Sequence, residues 1–104
     1  MDFSLVYVTT ESKKEARTIA RTLLEERLIA CANIIESMQS LYWWEGKIED
    51  SDEAVLIVKT RATHLSALTA RVKDLHSYDC PCIVALPITD GSTDYLSWLA
   101  RETA

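Results

Sequence analysis

The feature of this chain that most constrains its fold is a pair of tryptophans beside a Glu-Gly step. Residues 41–49 read Leu-Tyr-Trp-Trp-Glu-Gly-Lys-Ile-Glu, and Gly46 is one of only two glycines. Glycine supplies the positive φ that a tight turn needs, so the segment predicts a β-hairpin. Tryptophan and tyrosine carry much of the contact energy at protein interfaces, so we expect this hairpin to meet another subunit. Two core tryptophans at a strand end are the alternative interpretation.

The strands predicted on either side of this turn are unusually long. Residues 30–44 and 47–60 are both extended, with a bulge or bend expected at Glu36 and Ser37. About 14 residues at ~3.3 Å each span ~45 Å, whereas a globule of this size is about 33 Å across. We therefore expect the hairpin either to bend sharply or to project beyond its own domain.

Strands and helices alternate in the rest of the chain. β-branched and aromatic residues predict a strand over 3–9, and apolar residues at helical spacing predict a helix from about 12 to 28. Ser12 and Glu15 match a capping box at the start of this helix. In it the Ser12 side chain accepts a hydrogen bond from a backbone N–H of the first turn, and the Glu15 side chain reaches back to the backbone N–H before the helix. The first half of the chain therefore reads as a strand, a helix and a long hairpin.

The second half of the chain continues this alternation. Thr63 is expected to cap a second helix with one buried face. Pro81 breaks the chain, and residues 82–88 are expected to form a strand. A short last helix follows, with Ser92 or Thr93 as its cap.

The order β-α-β-β-α-β plus a terminal helix is the split βαβ, or ferredoxin-like, arrangement. With 104 residues, the chain has the size of a single domain, residues 1–104. Residues 54–58 and 83–88 are apolar at successive positions, and therefore on both faces of their strands. Helices cover only one face of such a sheet, so other subunits are the simplest cover for the second face. We predict an α+β, ferredoxin-like oligomer with a long hairpin between its second and third strands.

Charge and composition argue against several kinds of partner. The net charge is −5 and the pI is about 4.9, so we expect no nucleic acid partner. No apolar run approaches the roughly 20 residues of a membrane span, so we expect no membrane contact. The N-terminus lacks the pattern of a signal peptide, so the cytoplasm is the expected location. Three cysteines are an odd number, which rules out a complete internal disulfide framework and suits a reducing compartment.

Five motifs fall in one order along the chain. They are Ala30–Ile35, Ser40–Ile48, Leu75–Tyr78, Ala85–Ile88 and Asp94–Leu99. Together they span nearly the whole chain and resemble CutA, the divalent-cation tolerance protein family. The resemblance implies a cytoplasmic homotrimer of ferredoxin-like subunits, whose sheets pack face to face around a three-fold axis in a PII-like trimer. It also implies a link to copper and divalent-cation tolerance, and some members of the family bind copper.

One segment departs from the family pattern His-Pro-Tyr-x-x-Pro-Glu. Residues 76–82 read His-Ser-Tyr-Asp-Cys-Pro-Cys, so His76, Tyr78 and Pro81 match, whereas Cys82 replaces the acidic residue. Some copper-binding members place a cysteine near the end of the first strand, where this chain has two threonines. A metal site of that kind lacks its cysteine here.

His76, Cys80 and Cys82 form a His-x3-Cys-x-Cys cluster with metal-binding side chains. Imidazole and thiolate suit Cu(I) or Zn(II), and soft thiolates favour Cu(I). An extended segment would point Cys80 and Cys82 to opposite faces, so only a turn at Pro81 would let both reach one ion. Cys31 is either a packed free thiol or a further ligand together with His76. The alternative interpretation is a helix-end histidine, one buried cysteine and one indifferent cysteine.

Two functions are consistent with these features. The first is a homotrimeric cytoplasmic protein of copper or divalent-cation homeostasis. In it His76 is the leading ligand, aided by Cys80, Cys82 or Cys31. The ion would be copper or another divalent cation, and the sequence indicates no definite cofactor. The alternative is a PII-like sensing or scaffold trimer that binds a small molecule or an unidentified protein at a subunit cleft, with metal binding incidental. The sequence contains no phosphate-binding loop, nucleophile elbow or metalloprotease motif, so we do not expect an enzyme.

Overall fold

The computed structural model describes residues 1–104 and has the predicted order of elements. The strands are β1 (Phe3–Thr10), β2 (Cys31–Trp44), β3 (Lys47–Arg61) and β4 (Ile83–Ile88), and the helices are α1 (Lys13–Glu25), α2 (Leu65–Leu75) and α3 (Thr93–Glu102). A single 3-10 turn, Ala62–His64, joins β3 to α2. None of the helices has the length and apolar character needed to cross a bilayer.

The four strands form one sheet in the order β2-β3-β1-β4, and all neighbouring strands are antiparallel. This is the ferredoxin-like α+β arrangement that the sequence predicts. α1 and α2 pack on the same face of the sheet. Their apolar residues meet Val6 and Val8 of β1 and Leu56 and Val58 of β3 in one fully buried cluster.

The hairpin between β2 and β3 has the predicted turn. Glu45 and Gly46 have φ values of 51° and 78°, as a two-residue turn between twisted antiparallel strands requires. The strand register shifts across residues 36–37, where the sequence predicts a bulge. Every residue from 41 to 50 is exposed, and the chain measures 44 Å along its longest axis against 25 and 23 Å along the others. The hairpin therefore projects beyond the domain.

α1 ends earlier than the apolar periodicity predicts. Its last residue is Glu25 rather than residue 28, because Arg27 takes a φ of 60° and turns the chain out of the helix. The N–H of Leu28 then donates to the carbonyl of Leu23 at 3.0 Å. Leu28 still packs against the core, which explains why the apolar pattern continues past the end of the helix.

Three other predicted element starts differ in detail. Thr63 lies inside the 3-10 turn and is not the cap of α2, which follows His64 and has no side-chain cap. Ser92 occupies the position before α3, but its side chain makes no capping hydrogen bond. β4 begins at Ile83, so Cys82 belongs to the preceding loop rather than to the strand.

The face of the sheet opposite α1 and α2 is covered at one end only. There α3 packs on β3, and Arg61 donates a hydrogen bond to Thr103 at 3.0 Å. Away from α3, Ile35, Val84 and Leu86 leave about half of their surface exposed. We call this side of the sheet the open face. It carries apolar side chains that no other element of the chain covers.

Candidate functional site

A groove of about 820 Å³ lies between the projecting hairpin and the loop before β4. Its lining comes from β2 between Met38 and Trp44, from Tyr7 on β1, from Glu53 on β3 and from most of the loop 77–82. We call it the hairpin groove. It combines aromatic and apolar walls with carboxylate and thiol groups.

His76 holds the start of this loop against β1. Its Nε2 lies 2.8 Å from the carbonyl oxygen of Thr9, and the backbone N–H of Tyr78 donates to its Nδ1 at 3.1 Å. Because Nδ1 accepts a hydrogen bond, Nε2 carries the proton and donates to Thr9. The ring also lies 4.7 Å from that of Tyr78. Both nitrogens of His76 therefore have partners within the chain.

Glu15 of α1 anchors the next residue of the loop. Its Oε2 accepts from the N–H of Ser77 at 2.9 Å, and its Oε1 accepts from the N–H of Glu11 at 2.9 Å. Half of the predicted capping box is confirmed, since Ser12 Oγ accepts a hydrogen bond from the N–H of Glu15 at 3.1 Å. The other half is not formed, because the Glu15 carboxylate accepts from the N–H of Glu11 instead of that of Ser12. Partial burial favours a higher pKa for Glu15, but the donated hydrogen bonds outweigh it and hold the pKa below its ordinary value.

Tyr78 completes the anchoring of the loop. Its hydroxyl donates to Oε2 of Glu53 at 2.7 Å, and Glu53 is only 6% exposed. Burial, together with this hydrogen bond, raises the pKa of Tyr78 far above its ordinary value. Three consecutive residues, 76–78, are thus fixed to β1, α1 and β3.

Replacing Tyr78 with Phe is expected to lower the free energy of unfolding by about 1–2 kcal/mol at pH 7, because the buried Glu53 loses its donor. Because the pKa of Tyr78 is raised in the folded chain, the Tyr78–Glu53 hydrogen bond makes its full contribution to the free energy of unfolding below about pH 10, where the unfolded chain keeps the phenol proton. It is lost as the pH rises further. Urea unfolding at pH 7 and above pH 10 measures both effects.

Tyr42→Phe is the matched control, because the Tyr42 hydroxyl contacts Ser51 at 3.3 Å on the exposed hairpin. We expect this change to alter the free energy of unfolding by less than about 0.5 kcal/mol. Equal stability of Tyr78→Phe and the parent at pH 7 would contradict the anchoring role of Tyr78.

The two loop cysteines have no partner in the chain. Cys80 and Cys82 are free and exposed, and both residues line the hairpin groove. The segment is not the extended strand that would send the two side chains to opposite faces, since a bend covers residues 77–80 and β4 begins only at Ile83. No three His, Cys, Asp or Glu side chains of the chain converge closely enough to hold a metal ion.

Cys31 lies apart from the groove, at the start of β2. Its sulfur is 3.4 Å from the hydroxyl of Tyr95 and 3.7 Å from the Nζ of Lys59. The four candidate ligands therefore fall into three environments: His76 bonded at both nitrogens, Cys80 and Cys82 in the groove, and Cys31 beside α3.

The two carboxylates that hold the loop are not evident as site residues in the sequence. Glu15 looks like a helix cap, and Glu53 looks like one of several acids on a solvated hairpin rim. A signal for Glu53 does exist, because it directly precedes the apolar run 54–58 that forms the buried half of β3. An acid in that position needs a partner when the strand is buried.

The family model described as CutA1 divalent ion tolerance protein matches residues 4–102. The divalent-cation tolerance protein CutA of Thermus thermophilus is 46% identical over 99 residues, which cover 95% of this chain and 96% of that protein. The chloroplastic protein CutA 1 of Oryza sativa is also 46% identical over 95% of this chain. The chain spans only 56% of that rice protein and 54% of its chloroplastic relative in Arabidopsis thaliana, about half the length of these plant relatives.

Solved structures agree with this assignment. The crystal structure of CutA1 from Oryza sativa superimposes with a TM-score of 0.97 at 43% identity, covering 100% of this chain and 95% of the other. The periplasmic divalent cation tolerance protein CutA of Archaeoglobus fulgidus gives a TM-score of 0.95 at 42% identity, with 98% and 99% covered. The sequence match and the shared fold extend over the same residues, and the chain belongs to the CutA family of divalent-cation tolerance proteins.

Proposed function

We propose that this chain acts in divalent-cation tolerance as a cytoplasmic homotrimer that binds copper through sulfur ligands, without catalysing a reaction. The observation that carries the proposal is the pair of free, exposed cysteines, Cys80 and Cys82, that line one groove. Thiolates are the protein ligands that soft Cu(I) prefers. The family name supports a role in cation tolerance.

The anchored loop favours the two thiols over His76 as primary ligands. A metal could reach His76 only by displacing the Thr9 carbonyl or the N–H of Tyr78 from the ring. Cys80 and Cys82 require no such exchange, and the fixed residues 76–78 limit how far they can move. In this proposal His76 joins as a third ligand only when its bond to Thr9 opens, and Cys31 stays outside the site.

The trimer is supported by surfaces that have no cover within the subunit. Trp43 and Leu41 on the hairpin are largely exposed, and Val84 and Leu86 on the open face are about half exposed. Large apolar side chains left uncovered on a projecting hairpin and on one face of a sheet are typical of interaction surfaces. The cytoplasmic location is proposed because three free cysteines suit a reducing compartment.

A PII-like sensing or scaffold trimer is the second candidate. It is favoured by the size of the hairpin groove, about 820 Å³, which is within the range of small-molecule pockets. The Tyr78–Glu53 pair and Asp79 would supply polar contacts there. In that case the ligand would be a small molecule or a partner protein, and metal binding would be incidental.

A titration of the reduced, metal-free protein with Cu(I) against a calibrated competing chelator tests the first proposal. We expect tight binding of about one ion per chain, with a trimer seen by native mass spectrometry in the same sample. Affinity should fall as the pH is lowered, because protons compete with the metal for the thiolates.

Weak or sub-stoichiometric Cu(I) binding would contradict the copper proposal. If a small molecule then raised the melting temperature of the metal-free protein, the second candidate would be favoured, because a ligand that binds only the folded state stabilises it. A protein that remained monomeric at high concentration would contradict both proposals, since each depends on a trimer.

A further inference from the structure

A lysine on the open face lies among polar side chains that carry no carboxylate. The Nζ of Lys59 is 3.3 Å from the hydroxyl of Tyr95, 3.5 Å from Oδ1 of Asn33 and 3.7 Å from the sulfur of Cys31. It also lies 5.3 Å from the centre of the Tyr95 ring. We call Lys59, Asn33 and Tyr95 the Lys59 cluster. None of the three lines the hairpin groove.

Lys59 is partly buried and has no acidic partner. The chain has 16 acidic and 11 basic residues, and Lys59 takes part in none of its five ion pairs. The other basic residues without an ion pair are exposed, with the exception of Arg61. Arg61, two residues along the same face of β3, is also bonded only to uncharged groups, in Ala100 and Thr103 of α3. Two partly buried cations beside α3 therefore have hydrogen-bond partners but no acidic partner within the chain.

The contacts of Lys59 leave its ammonium group incompletely satisfied. All three acceptors lie beyond the usual 2.7–3.2 Å range of a hydrogen bond from nitrogen, so none of them holds the charge tightly. Partial burial favours a lower pKa for Lys59, but the Tyr95 hydroxyl and the Cys31 sulfur outweigh it and raise the pKa above its ordinary value. The group keeps its charge at neutral pH and lacks a counter-ion within the subunit.

We propose that the Lys59 cluster binds a carboxylate group on the open face. Lys59 supplies the charge, while the Asn33 amide and the Tyr95 hydroxyl can donate to the second oxygen. A phosphate is a poorer fit, because the cluster offers one free ammonium and no nest of backbone N–H groups. The only glycines, Gly46 and Gly91, lie outside the cluster.

The carboxylate could come from two sources with the same chemistry. One is a small organic acid free in solution. The other is an acidic side chain from a second copy of this chain, whose hairpin exposes Glu45, Glu49, Asp50 and Asp52. Both would supply the negative charge that the subunit itself does not place beside Lys59. The proposal does not depend on metal binding.

Nitrogen-15 NMR of the lysine ammonium groups tests the site directly. The full chain is titrated with sodium acetate and sodium succinate, and sodium chloride at equal ionic strength is the control. If the source is a free acid, the Lys59 Nζ signal and the Asn33 amide signal should shift and saturate with either acid but not with chloride. Lys59→Met and Asn33→Ala should weaken this binding by about tenfold or more. Lys73→Met, at an exposed lysine of α2, should leave it unchanged.

Self-association of the same variants distinguishes the second source. If a second copy supplies the carboxylate, Lys59→Met should raise the concentration needed for assembly by about tenfold or more, and Lys73→Met should not. In that case acetate should cause no saturable shift in the assembled protein. Unchanged assembly of Lys59→Met, combined with equal responses of Lys59 to acetate and chloride in the parent, would overturn the proposal.

Discussion

Replacing Trp43 with Ala is expected to raise the monomer–trimer midpoint concentration of the proposed trimer by about a hundredfold. Trp43 is 71% exposed in the isolated subunit and lies beside the turn of a hairpin that projects beyond the domain. A tryptophan buried at an interface commonly contributes about 2 kcal/mol or more. A trimer loses three such contacts, about 6 kcal/mol, and its midpoint varies with the square root of the association constant, which gives roughly two orders of magnitude.

Sedimentation equilibrium and native mass spectrometry over a range of concentrations measure this shift. Trp44→Ala is expected to act in the same direction and less strongly, because Trp44 is only 44% exposed and leaves less surface than Trp43 for a partner to bury. Leu24→Ala is the matched control, since Leu24 is an exposed apolar residue on α1, away from the hairpin and the open face. We expect it to leave assembly unchanged.

The stability of the monomer separates an interface role from a structural role. Trp43 makes little contact within its own subunit, so the variant monomer should unfold at the same urea concentration as the parent monomer. A Trp43→Ala protein that assembles as tightly as the parent would show that the hairpin is not an interface anchor. The alternative interpretation of Trp43 and Trp44 as core residues is already excluded within the subunit, because both are exposed.

The sequence predicts the hairpin well because its signals are local. Gly46 and its neighbour fix the turn, and a polar Glu-Ser pair inside an apolar run marks the bulge at 36–37. The long apolar runs also predict the open face, since helices on one side of the sheet cannot bury a strand that is apolar on both sides. Each of these predictions depends on residues close together in the chain.

Helix ends were less predictable, because tertiary packing decides them. Residues 25–28 contain no glycine that would predict the end of α1, and Arg27 takes the positive φ there instead. Thr63 has a typical capping side chain, yet β3 runs to Arg61 and a 3-10 turn follows at once, so α2 begins only at Leu65. Propensity alone does not show where a neighbouring element stops.

The candidate site was predictable in composition but not in geometry. The sequence identifies His76, Cys80 and Cys82 as metal-binding types, but the partner of His76 is Thr9, 67 positions away. That contact exists only because β1 and the loop before β4 meet in the fold. Sequence spacing could not show that the histidine would be bonded at both nitrogens while the cysteines stayed free.

Replacing both Cys80 and Cys82 with Ser is expected to abolish tight Cu(I) binding. Serine keeps the approximate size of cysteine and removes the soft thiolate, and its hydroxyl is a poor ligand for Cu(I). Both side chains are exposed, so the double variant should unfold at the same temperature as the parent when metal is absent. Competition with the calibrated chelator measures the affinity, and thermal unfolding of the metal-free proteins checks the fold.

Two single variants serve as controls for the double cysteine variant. Cys31→Ser removes a thiol from the same chain but from outside the groove, so Cu(I) affinity should equal that of the parent. His76→Ala releases the loop from Thr9 and should lower the free energy of unfolding by about 1–2 kcal/mol, since a partly buried carbonyl loses its donor. If His76 acts chiefly as this anchor, the variant should still bind one Cu(I) per chain, with a modest loss of affinity. Parent-like affinity in the double cysteine variant would refute the sulfur site, because no other free thiol lines the groove.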